Sequence, residues 1–549
     1  MKFFSYISFL TLLLTILLFA QSNPAIHANQ PAPLAGVPKL HIGAATPFTP
    51  DSQALPVHFA RAVVYDSGGY DTASIAVGDV NGDGYPDLVV ASMCPSGMTC
   101  GSGGVLSVLL GNGDGTFQSA VSYSSGGFFA SSVAIGDVNG DGKLDLVVAN
   151  QSSYGSGNGA VGVLLGNGDG TFQPPVSYSS GGFAADSITV GDVNGDGHPD
   201  LVVANDCQSS SDCSQFVGPG AVSVLLGNGD GTFQTPVSYS SGGASAGPVA
   251  IGDVNGDGHP DLAVVNEYLS EFDRSAGNVS VLLNNGDGTF QPPVSYPVGY
   301  GPGSVAIGDL NGDGHPDLVV ANQSLNGYGA VGVLLGNGDG TFQNPVNYTS
   351  GGVWADAVAI GDLNGDGNPD LAVTNMCAIG GTGKCLRPTV FVLPGSGDGT
   401  FVGQYTARSL GGYDPQSIAI ADVNGDGKPD LVVANFAAYG NHAHGSVGVL
   451  LNDLAAKTLT NLTSSLNPSQ VNQPVTFTAT ITSALPIPDG EVVAFYDGAT
   501  ELGTDSTTNG VATLTTSFSK AGGHTIKATY PGDAFHKGSS GKARQVVKR

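Results

Sequence analysis

The sequence predicts an all-β chain: a seven-bladed β-propeller with circular strand closure, followed by a small β-sandwich. Three observations carry this prediction. A nine-residue acidic block recurs seven times at near-even spacing. Each copy sits among four short apolar segments. After the last copy the composition shifts to a Thr- and Lys-containing alternation of period two.

The blocks are DVNGDGYPD (79–87), DVNGDGKLD (137–145), DVNGDGHPD (192–200), DVNGDGHPD (253–261), DLNGDGHPD (309–317), DLNGDGNPD (362–370) and DVNGDGKPD (422–430). Their starts are 58, 55, 61, 56, 53 and 60 residues apart, a period that marks an array or a propeller. The second unit shows the pattern. SVAIG (132–136) is a first strand, LDLVVAN (144–150) a second, AVGVLLG (160–166) a third and TFQPPVSYSS (171–180) a fourth. NGDG (167–170) turns the last hairpin with Gly where positive φ is needed. Four antiparallel strands make one blade. The ends predict closure, because HFARAVVYDSGG (58–69) repeats the fourth-strand phrase TFQSAVSYSSGG (116–127), while SVGVLLND (446–453) stops after a third strand. The first segment therefore completes the last blade and leaves no open edge.

Composition narrows the function. With 85 Gly, 32 Pro and 41% hydrophobic residues in 549, the chain is too apolar for disorder and too irregular for collagen. A net charge of −28 argues against nucleic acid and anionic lipid as partners. Much of that acidity is local: the seven loops hold three Asp each, 21 of 45 acidic residues.

Calcium takes six to eight hard oxygen ligands. In the first loop Asp79, Asn81 and Asp83 offer side-chain oxygens at positions 1, 3 and 5, Tyr85 its carbonyl at 7, and Asp87 a carboxylate at 9. The same positions are Asp137, Asn139, Asp141, Lys143 and Asp145, then Asp192, Asn194, Asp196, His198 and Asp200. The fourth and fifth loops offer Asp253, Asn255, Asp257, His259 and Asp261, and Asp309, Asn311, Asp313, His315 and Asp317. The last two offer Asp362, Asn364, Asp366, Asn368 and Asp370, and Asp422, Asn424, Asp426, Lys428 and Asp430. Three carboxylates in nine residues repel unless a cation sits among them. Calcium, one structural ion per loop, is expected over magnesium, which demands tighter octahedral geometry. An EF-hand is excluded, since position 12 is always Val (Val90, Val148, Val203, Val264, Val320, Val373, Val433). The NGDGTF turns read as positive-φ hairpins, with added metal ligands as the alternative.

These motifs, DxNxDGxxDL with GNGDGTF one hairpin later, resemble the FG-GAP/VCBS repeat of integrin α-subunit propellers and many bacterial surface proteins. The resemblance covers about 57–453 and implies a calcium-binding propeller. After it, NPSQVNQPVTFTATI, VAFYDG and HTIKATYPGD resemble a bacterial immunoglobulin-like (Ig-like) domain over 454–549, a spacer or adhesive unit. No sorting motif or terminal apolar anchor follows in the sequence, so covalent wall attachment is not expected.

MKFFSYISFLTLLLTILLFAQSNPAIHA opens the chain as a secretory signal (1–28), cleaved between Ala20 and Ala28, with 29–56 as a linker. Cleavage leaves no stable membrane insertion; a retained anchor is the alternative. Six cysteines form three close pairs, Cys94/Cys100, Cys207/Cys213 and Cys377/Cys385, each bracketing a polar loop. Local disulfides, and hence an oxidising, extracellular or cell-surface location, are the expectation. No His sits at zinc-site spacing beside them.

Alternate loops of a blade share a face. The Asp loops and NGDG turns lie on one, and the Cys loops and SGG connectors on the other. Variable, often aromatic residues follow the connectors: Tyr70, Phe128 with Phe129, Phe183, Tyr300, Trp354 and Tyr413. They are candidates for contact with a glycan or protein ligand, the alternative being that they fill wedges between blades. No Ser/His/Asp or Cys/His set is readable. The sequence thus predicts a non-catalytic, lectin-like adhesion or recognition module. A polysaccharide-active lyase or hydrolase on the same ring, or a purely structural surface protein, are the alternatives.

Overall fold

The computed structural model describes residues 59–95, 103–151, 158–209, 213, 217–323, 328–378, 388–403, 405–407, 410, 412–438, 444–452, 458–483, 487–533 and 536–549. The expected signal and linker, together with Cys100, Cys385 and the side chain of Cys377, lie outside the described residues. Every named element is a strand.

Seven four-stranded blades account for the sheets of the repeat region. The first is Gly69–Gly78, Asp87–Pro95, Val105–Leu109 and Val121–Ser124, paired antiparallel in chain order. The third and fourth share the 16-residue strand Val237–Gly252, outer strand of one and inner strand of the next, and so merge into one seven-stranded sheet. In the seventh, Gly412–Ala421, Asp430–Ala438 and Ser446–Leu450 come from the end of the repeats, and the fourth strand is Val63–Asp66. It pairs Val63 with Val449 and Asp66 with Ser446, so the closure read from the repeated phrase is present.

The circle is held by apolar packing. Each inner strand contacts the inner strand of the next blade, and Gly412–Ala421 returns to Gly69–Gly78. Each of seven buried clusters draws on two consecutive blades. The closing one joins Ile75, Leu88 and Val90 to Val423, Val432 and Val447. The continuous apolar runs of the second strands (DLVVAN) follow from burial on both sides, and each Leu or Val so buried contributes about 1.5–3 kcal/mol. Outer-strand tyrosines meet the Phe of the next blade's NGDGTF edge-on at 5.4–5.8 Å, from Tyr65–Phe117 through Tyr348–Phe401. The Phe of that motif is therefore inter-blade core.

Buried polar pairs tie the same seams at the opposite end. Ser125 Oγ donates to Asn150 Oδ1 of the next blade at 2.5 Å, with like pairs at Ser180–Asn205, Ser241–Asn266 and Ser350–Asn375. At the closing seam Ser92 stands where the Asn would be, and Thr72 bridges it to Ser67. Two seams carry an apolar residue where the serine would be, Val298 and Leu410. There Asn322 Oδ1 and Asn435 Oδ1 are buried without a partner.

The predicted fourth strand (171–180) shortens to Val176–Ser179, preceded by an isolated Gly166–Phe172 bridge. The same interruption occurs in the first blade, which has Ser119 and Ala120 in place of the two prolines, so proline is not its cause.

The C-terminal region is a sandwich. Leu459–Ser464, Val475–Thr482 and Val511–Thr516 form one sheet, and a five-stranded sheet built around Gly522–Asp533 and His536–Lys548 forms the other. Val475, Phe477, Ala479 and Ile481 alternate inward as the period-two pattern predicts, onto Val493, Phe495, Ile526 and Tyr530.

Candidate metal centres and the opposite face

Each Asp loop curls around its own first carboxylate. Across the seven copies, position 1 accepts the N–H groups of both loop glycines at 2.7–2.9 Å, Gly82 and Gly84 in the first. Those two glycines have φ of 74° and 88°, which side-chain-bearing residues seldom adopt. Asn81 Oδ1 accepts from Asp83 N, and Asp83 Oδ1 from Tyr85 N, both at 2.9 Å.

Position 9 does something the spacing did not predict. Asp87, Asp145, Asp200, Asp261, Asp317, Asp370 and Asp430 are wholly buried. One oxygen of each accepts from the residue after the loop's first Asp, Val80 N in the first blade at 3.0 Å. The other accepts from the end of the third strand, Gly111 N at 2.7 Å. The remaining six repeat this pattern. One carboxylate therefore ties the inner strand, the second strand and the last hairpin of its blade. Burial pushes all seven carboxyls up, against the pull of the two amides, and the Asp residues at positions 5 and 1 push the same way. Asp370 rises to about 7 and Asp430 to about 6.

Among the described residues no three His, Cys, Asp or Glu side chains are gathered as a metal cluster. The donor chemistry nonetheless fits a hard divalent cation. Positions 1, 3 and 5 supply carboxylate and amide oxygens with lone pairs left after their backbone bonds. The buried position-9 carboxylate lies close enough to feel the other two charges, which a cation would offset.

The position-7 side chain sorts the loops. In five of them the Asn at position 3 donates its Nδ2 to the position-5 Asp Oδ2 at 2.9–3.0 Å. In the second and seventh that oxygen faces an ammonium instead: Lys143 Nζ lies 3.6 Å from Asp141, and Lys428 Nζ 3.6 Å from Asp426. In the NGDGTF turns, Asp114 and its five counterparts accept from the side chain and backbone of the Thr two residues on, which lowers their pKa. These are the self-contained turns that the hairpin reading expects.

The opposite face is less regular. Cys207 and Cys213 are joined, and Cys94 is disulfide-bonded. The sequence-predicted aromatics share no common environment. Phe128 and Tyr413 are 41% and 38% exposed, whereas Phe183 is 3% exposed, packed on the Cys207–Cys213 bridge. Tyr70 stacks on His444 at 4.5 Å between ring centres. Tyr300 and Trp354 are half-buried. Two registers are involved, since Trp354 and Phe129 stand one residue later than the others.

That later position is a feature the sequence reading missed. Asp71, Phe129, Ala184, Ser245, Gly301, Trp354 and Asp414 all have φ between 52° and 56°. One residue at the start of every inner strand is left-handed, and six of the seven carry a side chain, each strained by about 1–2 kcal/mol. Apart from Asp, which stands there twice, no residue type repeats, so no shared residue marks the position in the sequence.

These features define a β-propeller of repeated Asp-loop blades. The FG-GAP-like repeat model matches residues 98–148, 152–203, 214–264, 268–320, 309–373 and 379–433, more than half of the sequence, and the chain belongs to that family. The FG-GAP repeat model also matches 72–97, 184–225 and 249–282, and a bacterial Ig-like domain (group 3) matches 462–548. Integrin alpha-IIb of Mus musculus is 29% identical over 228 residues, 38% of this chain and 21% of that protein. Integrin alpha pat-2 of Caenorhabditis elegans is 29% identical over 237 residues, covering 37% and 19%. Phosphatidylinositol-glycan-specific phospholipase D of Homo sapiens is 34% identical over 166 residues, covering 25% and 19%. The chain thus spans about a fifth of each. Among solved structures, the extracellular domain of a putative hybrid two component system from B. thetaiotaomicron aligns over 90% of this chain and 60% of its own, at 8% identity. Its TM-score of 0.40 is too low to bear on function.

Proposed function

We propose that this protein is a non-catalytic extracellular recognition module whose ring is stiffened by calcium on one face and holds a glycan or protein ligand on the other. The observation that carries this reading is the contrast between the faces. The Asp loops repeat the same position-1 and position-9 hydrogen bonds in every blade, while the connector face varies in residue type and keeps strained backbone at a fixed position. Strained backbone gathers at binding and switch regions, and side chains that differ on a fixed frame can be fitted to a ligand. Calcium would be held by positions 1, 3 and 5, the position-7 carbonyl and the outer lone pairs of position 9. It supplies there only positive charge and bonds between strands. The similarity to integrin alpha chains supports adhesion, and the disulfides support an oxidising compartment. A glycan-array screen in calcium, repeated with Phe128→Ala and Trp354→Ala, tests the proposal. Binding that weakens at least about tenfold in either variant, the loss of an aromatic anchor, is the expected result. Turnover of a polysaccharide by the wild-type protein would overturn it.

A further inference from the structure

We infer that the seven loops are two kinds of cation site: five of full affinity, and two, in the second and seventh blades, weakened by an ammonium that the chain itself supplies. The inference rests on the calcium reading above and adds which loops yield first. Its basis is the division at position 5. Where position 7 is Tyr85, His198, His259, His315 or Asn368, the Asp Oδ2 bonds to a neutral amide, which leaves its charge for an incoming ion. Where position 7 is Lys143 or Lys428, the same oxygen already faces a positive charge at 3.6 Å. A divalent ion bound to that carboxylate is repelled by the ammonium or must displace it.

The two loops are not equivalent. Lys143 is 45% exposed, so it can swing into water, and Asp169 of the neighbouring turn also feels its charge. Lys428 is 7% exposed and has no such freedom, which makes the seventh loop the weakest of all. That blade is also the one closed by the N-terminal strand Val63–Asp66. As calcium falls, the blade that closes the circle loses its ion first.

Terbium luminescence and calcium calorimetry on the chelator-stripped protein test this. The wild type is expected to show two classes of site. Lys143→Asn, which installs the residue of the sixth loop at an exposed position, is expected to tighten one weak site about fivefold, the worth of one nearby charge in water. Asn368→Lys is expected to move one strong site into the weak class. Absence of any binding by the wild type would remove the calcium reading and this inference with it. Binding that neither substitution alters in affinity or class would overturn the inference alone.

Discussion

The two faces of the propeller are built from the same strands yet follow opposite rules. On the Asp-loop face, two backbone amides, one after the inner strand and one after the third, converge on one buried carboxylate of the second strand in every blade, so Asp is held at position 9 in all seven. On the connector face the backbone is equally constant, left-handed at one residue per blade, but Asp, Phe, Ala, Ser, Gly, Trp and Asp all stand there. The lesson is that repetition of residue type tracks where side chains tie strands together. Repetition of geometry alone marks a frame on which side chains are free to differ.

Chelation gives the largest test of this contrast. A site saturated a hundredfold above its dissociation constant contributes about 2.7 kcal/mol, and the loops act together. Excess EDTA is therefore expected to lower Tm by about 10 °C or more in scanning calorimetry. Phe128→Ala should leave it within about 2 °C, since that side chain ties no strands. An unchanged melting curve in EDTA would remove cations from the account of the Asp-loop face.

Within that face the two kinds of Asp should part company. Asp200→Ala leaves Val193 N and Gly227 N buried without an acceptor and should cost about 2–5 kcal/mol in urea unfolding. Asp196→Ala, at an exposed position bonded to its own loop, should cost under about 1 kcal/mol once calcium is removed. Equal losses would mean that the position-9 tie adds nothing beyond the metal.

A smaller effect than the loss of a position-9 carboxylate is expected at the Ser–Asn pairs that tie four seams of the connector face. Ser180→Ala takes the donor from Asn205 Oδ1 and should cost about 1–2 kcal/mol, read from the urea midpoint. The seams at Val298 and Leu410 already lack that serine. The protein folds with them, so a much larger loss would sharpen the distinction between seams.

Much of this was legible in the sequence because it lies in repeated residues. The blade count, the four strands per blade, the closing segment and the sandwich alternation were each written more than once. Position 9 was read only as a ligand, because its hydrogen-bond partner Gly111 lies a hairpin away and no local pattern links the two. The aromatics were grouped by residue type. The backbone separates them, burying Phe183 under a disulfide and shifting Trp354 by one position.

The pairing of Val63–Asp66 with Ser446–Leu450 also governs how the protein can be made. At about 5–20 residues added per second, a ribosome releases the opening segment of the ring tens of seconds before its partner exists. Six blades can assemble as they emerge. The seventh waits for the end of the repeat region, so a truncated product carries an unsealed edge where the intact one has none.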